Sequence, residues 1–111
     1  VKEVIMTSGT HIEYETSQKS ITFGDEDLTI NLKNREMDEK VTIDICSDKQ
    51  GFLVVGAETG SRYVAQIEIP PREYIEKTIK TNNGEVTTQN VAVPFDIDKC
   101  KIYLFGKEDF S

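Results

Sequence analysis

His11 is the only histidine of the chain, and it alternates with Glu13 and Glu15 on one side of residues 11–16. An imidazole near carboxylates can serve as a general base for a Ser, Thr or Cys nucleophile. No Gly-x-Ser-x-Gly or comparable nucleophile motif accompanies it, so the histidine reads as a surface strand residue paired across a sheet. Cys46 and Cys100 supply the only thiols, with no Cys-x-x-Cys spacing. Together with His11 they give at most three soft ligands, too few for a structural zinc site.

Carboxylates cluster at Asp25-Glu26-Asp27, at Asp38-Glu39 and at Asp96 and Asp98. Hard oxygen ligands in turns suit Ca²⁺, but no cluster follows the Asp-x-Asp-x-Asp-Gly loop, because Cys100 stands at the third ligand position. Solvated turns are the plainer reading. Carboxylate pairs also hydrolyse glycosides, in clefts walled by aromatics. With no Trp, four Tyr and five Phe, the chain is poorly equipped for that. Residues 56–61, Gly-Ala-Glu-Thr-Gly-Ser, lack the Lys and one spacer of a phosphate loop. We expect no catalytic residues, no bound metal and no cofactor.

Period-two alternation dominates the segments that would position these groups. Ile12 and Tyr14 alternate with His11, Glu13 and Glu15, and Leu28, Ile30 and Leu32 with Thr29, Asn31 and Lys33. Val41, Ile43 and Ile45 share one face, which leaves Cys46 on the other with Thr42 and Asp44. Tyr63, Ala65, Ile67 and Ile69 form another such face, as do Val91, Val93, Phe95 and Ile97. These are half-buried strands, and 4–6 and 20–23 are shorter ones. Turn-forming clusters separate them at nearly one per strand, which favours a sandwich over βαβ units.

Residues 72–80 fit a short helix after Pro71, but their β-branched residues and the following Asn83-Gly84 favour a strand entering a tight hairpin with positive φ. Strand is the expectation. Residues 52–55 and 102–105 are apolar on both faces, as a central covered strand would be. The sequence therefore predicts one all-β domain over residues 1–111, an antiparallel β-sandwich of about seven to nine strands, with a flattened barrel as the alternative.

The two cysteines are too differently oriented for a disulfide, since Cys100 lies in register with Ile102 and Leu104 while Cys46 faces away from its strand's apolar set. Two reduced thiols are expected, with Cys46 the more reactive. They favour a cytoplasmic location, although a leader removed before Val1 is compatible with the sequence. Twenty acidic against thirteen basic residues give a net charge of −7, which disfavours nucleic acid, and no apolar run approaches a membrane span.

A non-enzymatic protein-interaction or assembly module is the expected function, through a protein partner or self-association. Its surface is assigned to Lys101, Tyr103 and Phe105, where two aromatics face away from Ile102 and Leu104. Cover from residues such as Phe110-Ser111 is the competing explanation. The alternative function is a small-ligand or carbohydrate-binding module using Tyr14, Tyr63 or Tyr74, assisted by calcium at an acidic turn.

Overall fold

Ten strands form among the described residues, 1–56 and 62–106 of a computed structural model, most of them where side chains alternate. They are β1 (Lys2–Ile5), β2 (Tyr14–Thr16), β3 (Ser20–Phe23), β4 (Leu28–Asn31), β5 (Val41–Ser47), β6 (Leu53–Val55), β7 (Arg62–Ile69), β8 (Tyr74–Lys80), β9 (Val86–Ala92) and β10 (Lys101–Leu104). The only helical elements among the described residues are 3₁₀ turns at Lys33–Arg35 and Ile97–Lys99. No helix among those residues is long and apolar enough to cross a membrane.

The fold is all-β and sandwich-like. A five-stranded sheet has the order β1-β10-β7-β5-β6, a three-stranded sheet the order β2-β3-β4, and β8 and β9 pair with each other. None of the three sheets closes into a barrel, which removes the flattened-barrel alternative. All pairings are antiparallel except β1 with β10, where Lys2 lies beside Lys101 and Ile5 beside Leu104. That parallel pair sets residues 2–5 beside residues 101–104.

The core is what the alternation demanded. Ile43, Ile45, Ala65, Ile67, Ile69, Ile102 and Leu104 from the five-stranded sheet join Ile21, Phe23 and Ile30 from the three-stranded one and Leu32 just after it. Ile97 and Cys100 complete this cluster. Removing that apolar surface from water is the main favourable term in folding. The opposite face of the large sheet carries Thr42, Asp44, Gln66, Glu68, Lys101 and Tyr103 in facing pairs.

Two strands depart from simple alternation. A bulge between Ile45 and Cys46 on β5 matches Ile45 with Ala65 but Cys46 with Tyr63, so Val64 is the extra residue. The extra residue flips Tyr63 away from Ala65, Ile67 and Ile69 to the outer face with Cys46. The second departure is β6, which lies at the sheet edge rather than in its centre. Phe52 before it is 70% exposed. The apolar run 52–55 therefore does not mark a central strand, whereas the run at 102–105 does, since β10 sits between β1 and β7, with Ile102 and Leu104 buried and Tyr103 half-buried on the outer face.

The molecule is long. Its extents are 71 × 22 × 22 Å and its radius of gyration is 18.7 Å, against about 13 Å for a compact chain of this length. The β8–β9 ribbon pairs only with itself, is exposed along both strands and contributes nothing to the core. It therefore projects from the packed sheets as an arm.

Candidate functional site

The arm was not singled out as a site by the sequence, and it is the most distinctive surface of the protein. Tyr74 faces Ala92 across the ribbon, Ile75 faces Val91, Ile79 faces Thr87, and Lys80 faces Val86. Alternation thus places Ile75, Lys77, Ile79 and Val91 on one face, and Tyr74, Glu76, Lys80 and Val86 on the other. Every residue of β8 is exposed, and so is every residue of β9 except the half-buried Val91. Exposure includes Ile75 at 50% and Val86 at 65%. No residue of the ribbon belongs to the core.

A single hairpin is marginal in water, and here a polar clamp fixes its root. Arg72 N–H donates to the Met37 carbonyl at 2.8 Å, and its guanidinium reaches the Glu36 carbonyl at 2.9 Å. The same guanidinium lies 3.4 Å from the Glu36 carboxylate and 3.7 Å from that of Asp38. The Tyr74 hydroxyl donates to Asp38. On the other strand, Val93 N–H donates to the Glu73 carbonyl at 2.8 Å, and Lys99 Nζ lies 3.0 Å from Glu73. The Glu73 hydrogen bond holds the Lys99 ammonium above its usual range. Pro70, Pro71 and Pro94 flank the root and cannot donate to a ladder, so the chain leaves the large sheet there.

At its tip the ribbon closes through residues 82–84. Gly84 N–H donates to the Thr81 carbonyl at 3.0 Å, Thr81 N–H donates to the Glu85 carbonyl at 2.8 Å, and Gly84 has φ +81°. The hairpin expected from Asn83-Gly84 is present, but as a three-residue loop in which Gly84 alone has positive φ and Asn83 does not. A type I turn followed by a left-handed glycine gives this pattern.

At the opposite end of β7 lies a cleft of about 590 Å³. Its apolar lining includes Ile12, Leu53, Tyr63 and Phe105, and its charged lining Asp27, Asp48, Lys49 and Arg62. Tyr63 and Phe105 pack with ring centroids 5.7 Å apart at 49°. Partial burial, and then the Asp44 carboxylate, push the Tyr63 phenol above its usual value. Leu53 comes from β6, which among the described residues pairs on one side only.

The residues assigned to the interaction surface divide. Lys101 is exposed, while Tyr103 and Phe105 are half-buried. Tyr103 lies between Val4 and Gln66 on the outer face of the large sheet. Phe105 turns toward Tyr63, and its N–H donates to the Val64 carbonyl at 3.0 Å. Both aromatics lie toward the outer side of the large sheet, Phe105 against Tyr63 at its end. Phe110 and Ser111 lie outside the described residues, as do 57–61 of the glycine-containing loop.

The tyrosines of the ligand-binding alternative are dispersed. Tyr14 donates to Glu3 at 3.1 Å and stacks near Phe23, Tyr74 belongs to the arm root, and Tyr63 alone lines the large cleft. His11 lies before β2 rather than on it, and its Nε2 is 2.7 Å from the Thr7 carbonyl. The cross-sheet partner expected for it is therefore replaced by a local turn. Asp96 accepts from Asp98 N–H at 3.0 Å and Asp48 from Phe52 N–H at 2.8 Å, which are turn-stabilising roles. Among the described residues no three His, Cys, Asp or Glu side chains gather as a metal shell.

No disulfide joins the cysteines, and the expected registers explain why. Cys100 is in the main core, while Cys46 is on the outer side of β5 beside Tyr63 and Val54. The expectation that Cys46 is the more reactive needs correction for the folded protein. Sharing a face with Thr42 and Asp44 does not expose it, because it is fully buried at the bulge. Burial also pushes the Cys100 thiol up to about 11.

No protein-family model matches the chain, and neither a curated protein nor a solved structure matches it significantly.

Proposed function

We propose that this protein is a non-enzymatic interaction and assembly module whose docking element is the β8–β9 arm. The observation that carries the reading is a clamped ribbon holding Ile75, Ile79 and Val86 in water, outside the core. Exposed apolar groups on a two-stranded ribbon gain nothing for the isolated monomer, and a partner that covers them supplies the missing burial. The clamp at Arg72, Glu73 and Lys99 holds the arm in place before the partner arrives, which lowers the ordering cost of binding.

The partner is a protein and not nucleic acid, because a chain of net charge −7 repels phosphate. A reducing cytoplasmic setting goes with this reading, since two buried thiols on opposite faces of a sheet have no use for an oxidant. Lys101 and Tyr103 offer a secondary contact surface on the open sheet face. A second reading, a small-ligand module, draws on the end cleft with Tyr63 and Phe105.

An armless variant tests the proposal. Tyr74 and Ala92 are directly opposed, so residues 75–91 can be replaced by Asn-Gly as a two-residue turn. The melting temperature of the body should hold within about 2 °C, because no arm residue is in the core. In native extract of the source cells, the full chain should elute in a complex and the armless variant as a monomer. Identical elution of the two would sink the arm as docking element.

A further inference from the structure

Arm and cleft lie at opposite ends of one sheet. The arm leaves beyond Ile69, next to Val41 and Glu68, whereas the cleft opens at Arg62 and Tyr63, next to Ser47 and Cys46. Eight residues of β7 separate them, roughly 27 Å of strand, within a molecule 71 Å long. Two different surfaces at opposite ends make a heterologous pair. If they are complementary, copies add head to tail without closing.

We propose that the arm of one molecule docks into the end cleft of a second copy of this chain, building an open head-to-tail filament. The inference rests on the arm being the docking element, and it names the partner. Size permits it, because about 590 Å³ corresponds to about 20 waters at liquid volume, room for a hairpin tip rather than a single side chain. Chemistry supports it: the outer half of the arm offers Ile79 with Lys77 on one face and Val86 with Lys80 on the other, and Glu85 at the loop. The cleft offers Ile12, Leu53 and Phe105, with Asp27 and Asp48 to meet the lysines and Lys49 and Arg62 to meet the glutamate.

The backbone adds to this. β6 borders the cleft and, among the described residues, is hydrogen-bonded only to β5. An incoming ribbon strand can extend the sheet there by main-chain pairing. A ribbon about 24 Å long and about 10 Å across has two faces of roughly 250 Å² each. Counting both partners and only the outer half that the cleft admits, the contact covers on the order of 500 Å², the size of a weak interface. Association should therefore be concentration-dependent, with filaments growing as the protein is concentrated.

The test uses sedimentation of the purified full chain and two classes of variant. The arm variant is Ile79→Glu with Val86→Glu. The cleft variant is Leu53→Lys, and Lys49→Trp replaces it should Leu53→Lys lower the melting temperature, since Lys49 is an exposed rim residue. Wild type should sediment progressively faster with concentration and show no ceiling at the dimer. Each variant alone should stay monomeric, and an equimolar mixture should form a one-to-one dimer and nothing larger. That dimer pairs the arm of the cleft variant with the cleft of the arm variant.

Wild type that stays monomeric up to millimolar concentration overturns docking onto a second copy. The arm as docking element then stands or falls separately on the extract experiment. A wild-type dimer ceiling, with no recovery on mixing, means arms pairing with each other and overturns the cleft as receptor.

Discussion

Ile67 and Ile79 are the same residue in opposite circumstances, and replacing each by Ala separates body from arm. Ile67 sits on the central strand β7, paired with Ile43 and Ile102 and 0% exposed. Ile79 sits on the arm and is 38% exposed. Removing three carbons from a buried site costs about 2.5 kcal/mol in transfer free energy, and the remaining cavity brings the loss to about 4 kcal/mol. For a chain of this size that lowers the melting temperature by roughly 15–30 °C. The same change in the arm removes no core contact, so its cost is a local loss of β preference below about 1 kcal/mol. Because the arm opens without the body, the body's melting temperature should move by less than about 2 °C. Calorimetry at low micromolar protein reads both, and dilution keeps association from stabilising the folded state. A fall for Ile79→Ala comparable to that for Ile67→Ala would mean the ribbon packs on the body, and the projecting arm would be wrong.

Other perturbations reach different parts of the structure. Gly84→Val should fray the arm tip by roughly 1 kcal/mol or more, because a β-branched residue resists φ +81°; amide exchange should rise at Thr81 and Glu85 while the body's melting temperature holds. Gly106→Ala drives a methyl into the Ser8 carbonyl oxygen, and a backbone neighbour cannot rotate away. It should cost about 1–3 kcal/mol in denaturant unfolding, and an unchanged midpoint would refute that close approach. Burial raises the Cys100 thiol from 9.0 to about 11, so the folded state keeps its proton where the unfolded chain has lost it. This contribution is full below pH 9 and falls by about 1.4 kcal/mol per pH unit toward pH 11. Cys100→Ala should flatten that part of the stability curve, and an unchanged slope would refute the assignment. Alkylation should modify neither cysteine in the native protein and both after unfolding, whereas rapid native labelling of Cys46 would contradict its burial.

Much of the architecture was legible because one physical rule wrote it. A strand with one face on a core must alternate, and Ile21 with Phe23, Ile43 with Ile45, and Ile102 with Leu104 all lie where that rule puts them. The rule fails at Tyr63, because the extra residue Val64 shifts every earlier side chain to the other face, and a bulge leaves no mark in the pattern itself. It also says nothing about neighbours. Phe52 and Val55 read like a covered strand but end at an edge, and β1 and β10 are too far apart in sequence for their parallel pairing to show.

The arm was legible as a hairpin and illegible as an arm. Ile75, Thr78 and Ile79 with Asn83-Gly84 signal paired strands, and nothing local says that both faces remain in water. Two signals lay nearby. Val86-Thr-Thr-Gln-Asn has no apolar alternation, and prolines stand on both sides of the root at 70, 71 and 94. Lys101, Tyr103 and Phe105 drew notice for aromatic content, but Phe105 is partly spent on Tyr63.

Site-specific photo-crosslinking in the source cells tests the arm as docking element most directly. A benzophenone side chain replaces Ile79 in one variant, Tyr103 in a second, and the exposed turn residue Glu26 in a third. The Ile79 probe should give a discrete covalent protein adduct, stronger than any from Tyr103 and absent from Glu26. Adducts from Tyr103 with none from Ile79 would contradict the arm and return the docking surface to the open face of the large sheet.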